Sequence, residues 1–251
     1  MFNNKLYFEH LNTHFLGRKH KVYDKCTSTQ DVIREYSNLD GFVVIASTQT
    51  KGRGRMGRSW FSSDNENLYF SYVLKNPHLR NLQIINLLVS FSLCELLSEY
   101  GNFKIKWPND IVFNYKKVAG ILIESSIVNK SVLYSIIGIG LNINFKYLPK
   151  ELQDRAISIK SITNANIEKE ILLAKYFNIF ETYLLTYLNN SITIDLVGKW
   201  RELSAYYGKR IKIRLNDDEE CFIEKGIDAD GALRVTREDG SEKKLYYGEI
   251  V

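Results

Sequence analysis

Cysteine is scarce: Cys26, Cys94 and Cys221 lie far apart and are odd in number. No C-x-x-C pair occurs, so neither a zinc site nor a disulfide framework is indicated, and a reduced, cytoplasmic setting is the simplest expectation. The N-terminal stretch MFNNKLYFEHLNTHFLGRKHK lacks the apolar segment of a secretory signal. No uninterrupted apolar run reaches the roughly 18 residues of a membrane span, so no membrane partner is expected. About twenty-five residues precede the first strand–loop–helix, too few for a helix-turn-helix module, so DNA binding of that kind is not expected either. There is no internal repeat and no low-complexity tract. Lys and Arg total 34 against 29 acidic residues, a net +5. That excess is weaker than the dense basic stripe of a dedicated nucleic-acid binder, and it fits an anionic ligand or an acidic partner.

At 251 residues, with 45% hydrophobic and 13% aromatic content, the chain can bury one large core or two smaller ones. Apolar β-branched or alternating runs predict strands at GFVVIAS (41–47), NLYFSYVL (67–74), FKIKW, DIVF, VAGILIE and VLYSIIGIGLNIN (132–144). Helical spacing predicts helices over 79–100, 168–189 and 195–207, with Gly101 closing the first. Beyond Gly208 the composition changes to short strands joined by Asp230–Gly231 and Asp239–Gly240, strong hairpin signals. The expectation is an α+β protein: a mixed or antiparallel central sheet flanked by helices over 1–207, and a small SH3-like β-barrel over 208–251.

Three glycines and four basic residues crowd KGRGRMGR, residues 51–58, and three readings compete for them. Gly52, Gly54 and Gly57 satisfy the dinucleotide fingerprint G-x-G-x-x-G, but RSWFSSDNEN follows with loop composition where a helix would have to start. The same fault removes a phosphate-binding P-loop, which also lacks its lysine. The Arg-Gly pairing here is too short a run for a single-stranded nucleic-acid binder. A solvated loop is the bland alternative.

Four further segments change the weighting: TSTQD (27–31), KWPND (106–110), KKVAGILIE (116–124) and GIGLNIN (138–144). With GRGRMGRSW they resemble, in order and spacing, the catalytic domain of biotin protein ligases. The resemblance is dense from Val22 to Asn144 and covers the C-terminal segment in outline. With no room for a DNA-binding module, it is to the type that does not double as a repressor. It implies an enzyme that joins biotin to ATP, giving biotinyl-5′-AMP and pyrophosphate, with Mg²⁺, and then passes biotin to a lysine of a biotin carboxyl carrier protein. The family often dimerises through its central sheet, which leaves a homodimer open.

The resemblance also implies site residues. Arg53, Gly54 and Arg55 correspond to ligand contacts of a mobile loop, with Arg55 nearest the biotin carboxylate and the α-phosphate. Arg58 corresponds to a triphosphate contact and Trp60 to an aromatic beside the adenine. Ser28, Thr29 and Gln30 match residues that bind the ureido ring, Gln30 standing where the family has Asn, and Gln49 matches another biotin contact. Lys117 matches a lysine that reaches the carboxylate and the α-phosphate, and Lys106 a catalytic cation. Asp110 is a magnesium ligand or the orienter of the attacking lysine, Asn109 and Asn142 nucleotide-side contacts, and Gly138 and Gly140 make room for the biotin ring.

Each has a plainer reading too: a helix cap for Ser28 or Thr29, a tight turn for Trp107 to Asp110, bulges for the strand glycines. His10, His14, His20 and His78 fall outside every motif, and Cys26 has no partner to activate it, so covalent enzyme catalysis is not expected. A lipoate or octanoyl ligase of the same fold is the rival enzyme; a basic nucleic-acid binder is the rival of another class.

Overall fold

Alternation along the strand-forming runs gives each a face to bury. The computed structural model describes residues 2–62, 66–75, 81–129, 131–145, 148–189 and 194–251. In chain order the elements are α1 (Asn4–His10), β1 (His20–Cys26), α2 (Thr29–Val32), β2 (Val43–Gln49), β3 (Leu68–Leu74), α3 (Leu82–Leu97), β4 (Lys104–Lys106), β5 (Asp110–Phe113), β6 (Lys116–Val128), β7 (Ser131–Leu141), α4 (Ile159–Thr163), α5 (Lys169–Asn189) and α6 (Leu196–Leu203). The first seven strands form one mixed sheet in the order β1-β2-β3-β7-β6-β5-β4. Only the β1–β2 pair in it is parallel; the other neighbours run antiparallel.

The two faces of this sheet have different duties. Phe70 and Tyr72 of β3, Ile121 of β6, and Ile137, Ile139 and Leu141 of β7 join a buried cluster with Leu88, Phe91, Tyr176, Phe177 and Phe180 of α3 and α5. Because strand side chains alternate, the intervening residues face the other way: Ser71, Gly120, Leu122, Glu124, Gly138 and Gly140. There the sheet is covered only in part, by a small cluster of Ile33, Phe42, Val44, Val73 and Ile136. The remainder of that face carries the Gly–Arg loop.

The segment Leu82–Tyr100 is long and apolar enough to cross a membrane by length and composition alone. Twelve residues of α3 are buried in the protein interior, so here it is a core helix. The helix predicted from residue 79 is seen from Leu82; residues 76–80 lie outside the described residues. A 3₁₀ turn, Ser98–Tyr100, carries it to Gly101. The last element of this part, α6, starts at Asp195, whose side chain accepts from the Gly198 amide at 2.8 Å and caps the helix.

A second sheet follows, antiparallel, from β8 (Arg210–Leu215), β9 (Asp218–Ile227), β10 (Leu233–Thr236), β11 (Glu242–Leu245) and β12 (Glu249–Ile250), in the order β11-β10-β9-β8-β12. Gly231 and Gly240 sit in predicted turns at φ +85°, a conformation that favours glycine. Its join to α6 is partly polar. Glu224 of β9 is fully buried; Oε1 accepts from Trp200 Nε1 at 2.8 Å and from Ser204 Oγ at 2.6 Å, while Oε2 has no partner. Burial pushes this carboxyl above the ordinary range, opposed by its two donors and by the charge of Lys209.

A carboxyl raised on folding stabilises the fold below its ordinary range, and that contribution fades as pH climbs through the raised value. Glu224→Gln is therefore expected to gain on the parent protein as pH rises from about 4 to about 8. In thermal melts the gap should widen by roughly 2–4 °C, the effect of about 1 kcal/mol in a chain of this size. A gap independent of pH would contradict the buried-carboxylate account.

Candidate functional site

The open face of the first sheet meets the start of α2, and a small cavity of about 50 Å³ lies between them. Ser28, Thr29, Gln49 and Ser71 give it neutral polar groups, beside the cations Arg53, Arg55 and Lys117. Thr29 donates from its backbone N–H to Gln49 Oε1 at 2.8 Å, and its hydroxyl lies 3.2 Å from the same oxygen and 2.8 Å from Ser71 Oγ. Ser28 occupies the N-cap position of α2, yet its side chain makes no capping bond. Its hydroxyl is buried and has no partner in the protein. The capping role that the sequence allowed is thus unfilled, and a buried donor and acceptor faces the cavity unsatisfied, a condition that costs stability unless a ligand or water answers it.

Gln30 is placed differently from its neighbours. Its Oε1 accepts from Ser71 Oγ at 3.1 Å, and its Nε2 lies 3.2 Å from Glu124 Oε2 and 3.3 Å from the Ile136 carbonyl. The extra methylene carries the amide across to β6 and β7, where the protein already uses both ends. Gly138 is what admits it: a Cβ there would lie 2.3 Å from Gln30 Oε1.

Residues Gly52 to Trp60 fold back on themselves as a short hairpin. Trp60 N–H donates to the Gly52 carbonyl at 2.8 Å and Gly54 N–H to that of Arg58 at 2.7 Å. Met56 and Gly57 turn its tip at φ +56° and +71°. At its end Trp60 lays its indole across Gly120 and Gly140; a Cβ would meet the ring at 2.6 Å and 2.4 Å, respectively. The room left by Gly138 and Gly140 is thus taken, in this structure, by Gln30 and Trp60. The indole Nε1 is buried without a partner.

The three arginines of the hairpin differ by what they touch. Arg53 Nη2 bonds Glu124 Oε1 at 2.6 Å and Nη1 bonds Asp31 Oδ1 at 2.6 Å. Arg58 is held by both oxygens of Glu249, at 2.7 and 2.6 Å, on the last strand of the second sheet. Arg55 has only weak neutral acceptors, Asn109 Oδ1 at 3.3 Å and the Gly248 carbonyl at 3.4 Å. Burial lowers its affinity for its proton, and the nearby charges of Glu249 and Asp110 only partly offset this. As a guanidinium it stays charged, so it borders the cavity as a cation lacking a carboxylate at contact distance.

Beyond Arg55 a wide cleft of about 890 Å³ opens between the two sheets, lined by Lys106, Asn109, Asp110, Lys117, Asn142, Arg58 and Trp60 among others. Arg55, Trp60, Asn109 and Lys117 border the small cavity too, so the two spaces share one mouth. Lys106 and Asp110 are register partners on β4 and β5. Residues 107–109 turn between them, with a cis Trp107–Pro108 bond. The motif is therefore a tight turn as well as a lining of the cleft. Lys117 Nζ lies 2.6 Å from Asp110 Oδ1 and 5.0 Å from the Trp60 ring centroid. Asn142 Nδ2 donates to the Lys117 carbonyl at 3.2 Å, so it braces that strand. Among the described residues no group of three or more His, Cys, Asp or Glu side chains is placed to hold a metal. Asp110 is suited at most to a hydrated magnesium ion that also leans on phosphate oxygens.

All the sequence-selected residues line these two spaces, flank them or brace their walls. Asp31, Ser71, Glu124 and Glu249 had no assigned role. Ser71 carried one signal, a lone hydroxyl within an aromatic strand. The carboxylates became visible only through their arginines.

Residues 22–142 match the biotin/lipoate A/B protein ligase family and residues 206–251 the biotin protein ligase C-terminal domain. Over 249 residues the chain is 30% identical to the bifunctional ligase/repressor BirA of Bacillus subtilis, covering 96% of this chain and 76% of that protein. It is 24% identical to the biotin–[acetyl-CoA-carboxylase] ligase of Mycobacterium tuberculosis, over 78% of this chain and 74% of that one. Among solved structures, the biotin protein ligase from Aquifex aeolicus in complex with biotin and ATP superposes with a TM-score of 0.82 at 30% identity, over 93% of this chain and 98% of that one.

Gly140→Ala is expected to lift the Trp60 indole off the sheet, because the added Cβ would fall well inside contact distance of the ring. Acrylamide quenching of tryptophan fluorescence should rise relative to the parent protein. Unchanged quenching would place the ring elsewhere.

Proposed function

The chain belongs to the biotin protein ligase family, and on that premise we propose that it activates biotin as biotinyl-5′-AMP and transfers it to a lysine of a biotin carboxyl carrier protein. The observation that carries the reading is Arg55, half-buried between two spaces, cationic, and without a carboxylate in contact. One space is small and offers neutral hydroxyl and amide groups beside its bordering cations, fit for a ureido ring and a carboxylate; the other is wide and lined by further cations, fit for a nucleoside triphosphate.

Ser28, Thr29 and Gln49 present hydroxyl and amide groups to the ring's urea, and Ser28 has bonding capacity that the protein leaves unused. The biotin carboxylate then lies toward the shared mouth, where Arg55 and Lys117 offset its repulsion from the α-phosphate. A carboxylate oxygen attacks the α-phosphorus, the bond to the bridging oxygen of the β-phosphate breaks, and pyrophosphate leaves into the cleft beside Arg58 and Lys106. Next the carrier's lysine amine attacks the acyl carbon, AMP departs with the bonding pair, and the amine gives up its proton. Asp110 is placed in this reading to orient that amine, with Lys117 beside it. Magnesium, bound through Asp110 and the phosphates, would supply charge neutralisation on the leaving group.

A cavity of about 50 Å³ is smaller than the roughly 150 Å³ space that admits benzene, so a bicyclic ring enters only if a wall moves. The wall free to do so is the hairpin with Trp60, whose return would cover the adenylate and exclude water.

With ATP and Mg²⁺, biotin is expected to release pyrophosphate and lipoate to release little; the reverse result would assign the chain to the lipoate branch. Arg55→Ala and Lys117→Ala should each slow adenylate formation at least about 100-fold, the scale of one lost transition-state contact. Ser28→Ala should weaken biotin about tenfold by calorimetry. It should leave the melting temperature of the ligand-free protein unchanged or higher, because the hydroxyl removed has no partner there. A large loss of stability would show that the hydroxyl serves the fold instead.

A further inference from the structure

We propose that Glu124 is a positioning residue that latches the root of the Gly–Arg hairpin, so that Arg53 is a fixed pivot and the hairpin moves beyond it. The proposal rests on the biotin-ligase reading above and deepens it. Glu124 sits on the open face of β6, one strand residue beyond the carbonyl of Ile123 and on the same face as Gly120 and Leu122. Its carboxylate gathers three donors from three different segments. Arg53 of the hairpin bonds Oε1 at 2.6 Å and lies 3.3 Å from Oε2. Arg34, just past α2, bonds Oε2 at 2.8 Å, and Gln30 of α2 lies 3.2 Å from that oxygen. Asp31 takes the other side of Arg53 at 2.6 Å.

Single exposed ion pairs contribute little, but this is a network with a two-armed guanidinium at its centre and a carboxylate only 28% exposed. It ties together the two segments that wall the small cavity, the turn into α2 and the start of the hairpin. The next residue, Gly54, is half-buried, and the hairpin beyond Arg53 is held to the remainder of the protein through Arg55, Arg58 and Trp60 alone in the hydrogen bonds and ring contacts described. Two carboxylates already hold Arg53, so it is not an available anion site. Its charge is used for placement, while Arg55, with neutral acceptors alone among the described residues, keeps its own for ligand. The same carboxylate steadies the Gln30 amide, which explains how glutamine serves at this position: its longer reach finds a partner on β6.

The test compares the parent protein with Glu124→Gln, Arg53→Gln and the double variant. In the ligand-free protein, tryptic cleavage after Arg53 should be about tenfold faster in Glu124→Gln, because a guanidinium held by carboxylates cannot enter the protease. Cleavage after Arg55 and Arg58 should change less than twofold. In the adenylation assay the KM for biotin should rise about fivefold to tenfold, with kcat and the KM for ATP within about twofold. The double variant should raise the biotin KM no further than either single one, as partners in one contact do. Equal protease rates after Arg53, or additive effects of the two substitutions on the biotin KM, would overturn the latch. If the parent protein released no pyrophosphate with biotin, the functional reading would fail while the proteolysis still decided the latch.

Discussion

In the proposed reaction two anions, a carboxylate and a phosphate ester, must be brought together, and a cation kept partly out of water is suited to receive them. Arg55 has those properties. Its hydrogen bonds are long and to neutral acceptors, and burial weakens its hold on its proton without removing it. A protein tolerates such a charge only where something else compensates, and the surrounding backbone and amide dipoles do so incompletely. Lys117 adds a second charge from a different element, a strand rather than the hairpin, and shares it with Asp110. One cation belongs to the hairpin and the other to the sheet, so in the proposed reaction full neutralisation would require the hairpin to be in place.

Three arginines in one motif have three fates, and the difference lies in their partners. Arg53 is held between Asp31 and Glu124, Arg58 faces Glu249 on the second sheet, and Arg55 has neutral acceptors alone among the described residues. The Arg58–Glu249 pair joins the hairpin to the C-terminal strands across the wide cleft. In the proposed reading a triphosphate entering there would meet an arginine that already has a carboxylate, so binding would exchange one anion for another and involve the second sheet.

Much of this was legible beforehand. The strands of the first sheet other than β1, the long helices α3 and α5 and the C-terminal strands follow from local patterns: alternation, helical spacing, and the Asp–Gly turns. The short helices α1 and α4 escaped because seven and five residues offer too few turns for a periodic signal. The candidate site residues come from a series of weak motifs, and they lie around two adjoining spaces. What those motifs concealed was the use of each. Gln30 was suspect because it departs from the family's asparagine, and its amide proves to be bound to Glu124, Ser71 and the sheet. Gly138 and Gly140 make room, but for Gln30 and Trp60 in this structure.

Chain-local physics settled which segments became strands and helices. It also settled that Gly138 and Gly140 share a face, since alternation needs only neighbouring residues. It placed a flexible, cationic stretch between two strands, because glycine and arginine confer those properties wherever they stand. Only the folded arrangement decided which charge is left unpaired. Asp31, Glu124 and Glu249 are remote from the arginines they hold, by 22, 71 and 191 residues. A Coulomb pair depends on distance in space, which no local pattern encodes, and so it was the tertiary structure that left Arg55 without a carboxylate in contact among the described residues.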